Sequence, residues 1–111
     1  MRAIIVNDDS FDKQVLKSDV PTIAFFMADW SGPARMALPI LEDLAYDLRG
    51  RVKVAKIDVE ASPVVPEEQG VKGLPTCVFY RNGQMVASKV GAPTREILDE
   101  WLREAKFPAR L

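Results

Sequence analysis

The chain has 111 residues, enough for one domain with a buried core, and 48% apolar against 28% charged residues is an ordinary globular mixture. Fifteen Lys and Arg against sixteen Asp and Glu give a net charge of -1 with no long run of either sign, which speaks against nucleic-acid binding through a basic face. A single cysteine, Cys77, and no histidine exclude an intramolecular disulfide, a zinc site built from Cys and His, and any Ser-His-Asp or Cys-His catalytic arrangement. Nothing in the composition asks for a cofactor or a metal.

Ala3 to Val6 is a short β-branched run that reads as a strand. Asn7-Asp8-Asp9-Ser10 then supplies helix-capping residues ahead of Phe11, Val15 and Leu16 at helical spacing. Thr22 to Ala28 is almost continuously apolar, as in a strand covered on both faces. The next segment carries Met36, Ile40, Leu41, Leu44, Ala45 and Leu48 as an apolar stripe, with Ser31 near the N-cap and Pro33 in the first turn. Pro39 should kink this helix without ending it, and Gly50 should close it.

Val52 to Val59 alternates apolar and polar residues and reads as a third strand, so the strand, long helix, strand order implies a parallel crossover. Residues 60–70, with Pro63 and Pro66, read as a short irregular helix. Thr76 to Tyr80 and Gln84 to Val90 are two strands joined at Arg81-Asn82-Gly83, a hairpin signal. Thr94 caps a last helix bearing Ile97, Leu98, Trp101 and Leu102. Met1 to Ser10 lacks a signal-peptide pattern and no apolar run nears the roughly 18 residues of a membrane span, so the chain reads as cytoplasmic. The whole of 1–111 forms one domain, with a flexible tail expected at 106–111.

The informative segment is Trp30-Ser31-Gly32-Pro33-Ala34 at the start of the long helix. Together with Phe26 to Asp29, Pro39-Ile40-Leu41, Val54 to Asp58, Gly73-Leu74-Pro75-Thr76, Asn82-Gly83 and Val90-Gly91-Ala92, it resembles the thioredoxin family from about Arg2 to Lys106. The resemblance implies an α/β thioredoxin fold, a central mixed sheet of about five strands flanked by about four helices. It also implies that Pro75 is a cis-proline facing the active-site turn. Trp30, Gly32, Pro33, Leu74, Pro75, Val90, Gly91 and Ala92 would then form an apolar docking surface that leaves backbone groups free to pair with an extended polypeptide.

The departures fall on the chemistry. The family's frame is Trp-Cys-Gly-Pro-Cys, and here Ser31 and Ala34 hold the two cysteine positions. Thiol-disulfide exchange needs a thiolate to attack and a second thiol to release the mixed disulfide, so no catalytic pair is intact. Ser31 reads as a helix cap, since a serine nucleophile would need a base, and the family-equivalent candidate, Lys56, is not aimed at that position in thioredoxins. The family's buried aspartate, proton acceptor for the second cysteine, corresponds to Phe25. Cys77, flanked by Val78 and Phe79, reads as a small hydrophobe in a strand.

The expected function is that of a thioredoxin-like protein without redox activity, a noncovalent adaptor or chaperone-like module for other proteins or extended segments, monomeric or weakly dimeric. The alternative is a cytoplasmic thioredoxin whose cysteines were replaced, the parent being a protein-disulfide reductase. A purely structural subunit of a larger assembly is the third reading.

Overall fold

The computed structural model describes residues 3–108. Five strands form one sheet in the order β1-β3-β2-β4-β5: β1 (Ile4–Ile5), β2 (Thr22–Met27), β3 (Lys53–Asp58), β4 (Thr76–Arg81) and β5 (Gln84–Val90). β1, β3 and β2 run parallel, whereas β4 is antiparallel to β2 and β5 antiparallel to β4. The helices are α1 (Gly32–Asp47), α2 (Val64–Glu68) and α3 (Arg95–Glu104), preceded by a π-helical turn at Asp12–Leu16. In that turn the Lys17 N–H donates to the Asp12 carbonyl, five residues back.

All six residues of β2 are buried, the polar Thr22 and the apolar run from Ile23 to Met27 alike, as befits a strand with helices on both sides. Ile23, Phe25 and Met27 pack with Ala34, Ala37, Leu41 and Leu44 of α1 and with Leu98 and Leu102 of α3. Ala24 and Phe26 face the opposite way, against Phe11, Val15 and Val65. Each such fully buried large side chain contributes about 1.5–3 kcal/mol of hydrophobic stabilisation.

α1 runs through Pro39 to Asp47, and its end is followed by Gly50 at φ +82°. Its buried stripe is Ala34, Ala37, Leu41, Leu44 and Ala45, followed by the buried cap residue Leu48. Met36, expected on the stripe, is instead 76% exposed, because it sits one position before Ala37 and so about 100° around the helix. Ile97 is likewise exposed on α3, while Leu98 and Leu102 are fully buried.

α2 is short and begins where its chain alone offers no capping side chain. The cap arrives from far away in sequence: the Asp8 carboxylate accepts from the Val64 N–H at 3.1 Å and from the Val65 N–H at 2.9 Å. The β4–β5 turn places Asn82 and Gly83 at φ +53° and +78°. A Cβ on Gly83 would stand 2.9 Å from the Leu16 carbonyl oxygen, so glycine also admits a close approach of the π-helical turn.

At the C-terminal end, Phe107 is buried and meets Phe79 edge to face at 5.4 Å. The loose tail expected from 106 is corrected to that extent, since an aromatic ring following α3 reaches the core. Residues 109–111 of that tail lie outside the described residues.

Candidate functional site at the carboxyl end of β2

The topology gathers four loops at one end of the sheet. β2 and β3 are parallel and end together, with Met27 beside Asp58. β4 runs the other way and starts there, Thr76 facing Phe26, and β5 returns to the same end with Val90 facing Thr76. Residues 28–31, 59–62, 73–75 and 91–92 therefore lie at one rim.

At this rim Trp30 is 65% exposed and Val90 64% exposed, with Gly32, Pro33 and Ala92 also exposed. Gly91 and Leu74 are half-buried, and Pro75 is buried. The Leu74–Pro75 bond is cis, as the resemblance implies. The Pro75 carbonyl already accepts from the Gly91 N–H at 2.8 Å, joining the two loops, whereas among the described residues the Leu74 N–H and carbonyl have no partner. The main-chain groups available to an incoming strand are thus those of Leu74, not of Pro75. Gly73 permits this closure, since a Cβ there would lie 3.0 Å from Val90 Cγ1.

Ser31 occupies the N-cap of α1, nearly buried, and its Oγ accepts from the Ala34 N–H at 3.2 Å. The hydroxyl thus satisfies one of the orphan donors of the first turn, which is a structural use of the oxygen. Ala34 is fully buried behind it. Neither residue of the turn that stands at a cysteine position of the family carries a thiol, and the chain has no histidine to act as a base beside it.

Behind the turn the sheet is apolar. Phe25 is wholly buried and stands in register between Lys56 on β3 and Cys77 on β4. Burial alone pushes the Cys77 thiol up to about 12, so it stays protonated at neutral pH and takes no part in the rim. Lys56 lines a recess of ≈ 290 Å³ with Ile5, Met27, Asp29, Asp58 and Ala61, and among the described residues its ammonium has no hydrogen bond or ion pair.

One contact at the rim has no counterpart in the sequence reading: the Trp30 indole Nε1–H donates to Glu60 Oε2 at 2.8 Å. Glu60 lies in the segment that the prolines make hard to read, and no local pattern pairs it with a residue thirty positions away.

The thioredoxin family profile matches residues 2–104. The chain is similar to the thioredoxin of Rhodospirillum rubrum, with 43% identity over 97 residues, covering 87% of this chain and 93% of that protein. It is 39% identical to the thioredoxin of Rickettsia bellii over 97 residues, or 87% and 92% of the two chains. With the thioredoxin of Rickettsia felis it shares 36% identity over 100 residues, or 90% and 95%. By this match across nearly its whole length, and by its fold, the chain belongs to the thioredoxin family.

Proposed function

We propose that this protein binds other polypeptides noncovalently at the rim formed by Trp30, Leu74, Val90 and Ala92, in the cytoplasm, without exchanging disulfides. The observation that carries the reading is the pairing of an exposed apolar rim and an unpaired Leu74 main chain with a turn whose Ser31 oxygen is engaged as a helix cap. An extended segment can add its main chain to Leu74 and set apolar side chains against Trp30 and Val90, a mode in which hydrogen bonds supply affinity and pockets supply specificity. Phe25 supports the same reading, because an apolar residue behind the turn cannot accept a proton from a thiol.

The test uses reduced, carboxymethylated α-lactalbumin, an unfolded polypeptide without free thiols. Saturable binding is expected, weakened at least about tenfold by Trp30→Asp and by Val90→Asp, with no turnover in an insulin-reduction assay. Equal binding by both variants would place the interaction elsewhere.

The second reading, a thioredoxin whose cysteines were replaced, is favoured by the 36–43% identity to proteins named thioredoxin. Under it, Ser31→Cys with Ala34→Cys should reduce insulin as fast as an ordinary thioredoxin does. Under the proposed reading the double variant stays slow, because Phe25 leaves the second thiol without its proton acceptor.

A further inference from the structure

We propose that Asn82 is a site of spontaneous covalent modification, closing onto the Gly83 nitrogen as a cyclic imide that water opens to aspartate or isoaspartate, and that the isoaspartate form loosens the π-helical turn at Asp12–Leu16. The site is independent of the docking reading above. β4 starts at the rim and runs away from it, which puts the Asn82-Gly83 turn at the other end of the sheet.

Three features of the turn favour ring closure. Asn82 is exposed at φ +53°, and its carboxamide has no hydrogen-bond partner among the described residues. Arg81 pairs with Gln84 across the hairpin, so the Gly83 N–H between them lies outside the ladder, and it too has no partner among the described residues. Gly83 also carries no Cβ to crowd its nitrogen. The chain's other asparagine, Asn7, supplies the contrast. Its Oδ1 accepts from the Ser10 N–H at 2.9 Å, and the residue after it, Asp8, has a side chain engaged by the Val64 and Val65 N–H groups.

The reaction needs only water as co-reactant. A bond forms from the Gly83 nitrogen to Asn82 Cγ, the Cγ–Nδ2 bond breaks, and ammonia leaves with the proton that Gly83 gives up. Water then breaks one of the two imide C–N bonds, and either product adds one negative charge to a chain whose net charge is -1. Breaking the bond at Cγ gives aspartate, which tolerates the positive φ of position 82. Breaking the bond at the main-chain carbonyl carbon gives isoaspartate, and the main chain then runs through the former side chain, longer by one methylene. Gly83 has no room for that lengthening, since even a Cβ on it would stand 2.9 Å from the Leu16 carbonyl oxygen. The other ties of the π-helical turn lie earlier in it: Lys53 Nζ donates to the Gln14 carbonyl at 2.9 Å, and Phe11 meets Tyr80 edge to face at 5.7 Å. A displaced Gly83 therefore loosens the end of the turn at Leu16 first.

The experiment ages the protein in mildly alkaline buffer, follows each asparagine by peptide mapping with mass spectrometry, and separates the charge forms by isoelectric focusing. Asn82 is expected to convert at least about tenfold faster than Asn7, whose following residue carries a side chain. Asn82→Gly, which accepts the positive φ, should abolish the acidic form. In the separated isoaspartate form the Lys17 and Ser18 N–H groups, bonded to the Asp12 and Val15 carbonyls, should exchange with solvent about tenfold faster than in the parent, while in Asn82→Asp they exchange as in the parent. Conversion of Asn82 no faster than that of Asn7, or an Asn82 amide that survives while the free peptide Tyr-Arg-Asn-Gly-Gln converts fully, overturns the modification. An isoaspartate form with unchanged exchange at Lys17 and Ser18 overturns the loosening.

Discussion

The rim and the interior directly behind it are separated by one turn of chain, yet they follow opposite rules. Trp30 and Val90 are about two-thirds exposed, while Phe25, Ala34 and Cys77 are wholly buried. Here the interior is filled with inert side chains and the rim keeps its apolar surface. The difference teaches that the two parts of such a site are physically separable: surface shape depends on loop placement, and reactivity on a few atoms beneath it.

The comparison breaks most decisively at Phe25. Phe25→Asp removes a buried ring and adds a buried carboxylate, and the two together should cost about 4 kcal/mol or more at pH 7 in urea unfolding. Burial raises the introduced carboxyl above its unfolded value of roughly 3.9, so the variant loses stability as pH rises from about 4 toward the raised folded value. Phe25→Asn, which does not titrate, should lack that slope. If the slope were reversed, the introduced carboxylate would be stabilised as an anion by Lys56, the register neighbour of this position on β3, and the interior would be more hospitable to charge than its packing implies.

Cys77 gives the next largest effect. Its thiol is raised by burial from an ordinary value of 9.0 to about 12, so its contribution to stability is complete below pH 9 and is lost as pH climbs from 9.0 toward about 12. Unfolding monitored from pH 8 to pH 11 should show this alkaline loss in the parent and a smaller one in Cys77→Val. A native-state thiol that reacts with a disulfide reagent at pH 8 as fast as the unfolded chain does would place Cys77 at the surface and contradict the contrast. The rim supplies the smallest change: Trp30→Asp and Val90→Asp should alter folding stability by no more than about 0.5 kcal/mol each, since neither residue anchors the core. A loss of several kcal/mol would mean that the rim is structural after all.

Several parts of this arrangement are legible in the residues. The β2 run from Thr22 announces burial on both faces, Asn82-Gly83 announces the hairpin, and Thr94 announces a helix start that its Oγ indeed caps at Ile97. The short α2 is legible only in outline, because its N-terminal cap comes from Asp8, 56 residues before Val64. Met36 misleads because a stripe read from hydrophobicity does not distinguish Met36 from Ala37, and the alanine is the residue small enough to sit against β2. Phe107 reads as tail because nothing local records that a ring beyond the last helix will find Phe79.

The sequence by itself determined that no thiol pair, histidine base or metal cluster of Cys and His could act here, since chemistry that needs particular atoms cannot occur without them. It also determined the order of strands and helices, which follows from local periodicity and turn chemistry. Only the tertiary structure decided which groups share the rim, that Leu74 and not Pro75 keeps its main chain free, and that Glu60 holds Trp30. Those relations join residues tens of positions apart, and they are set by strand register and loop closure, which a linear pattern does not encode.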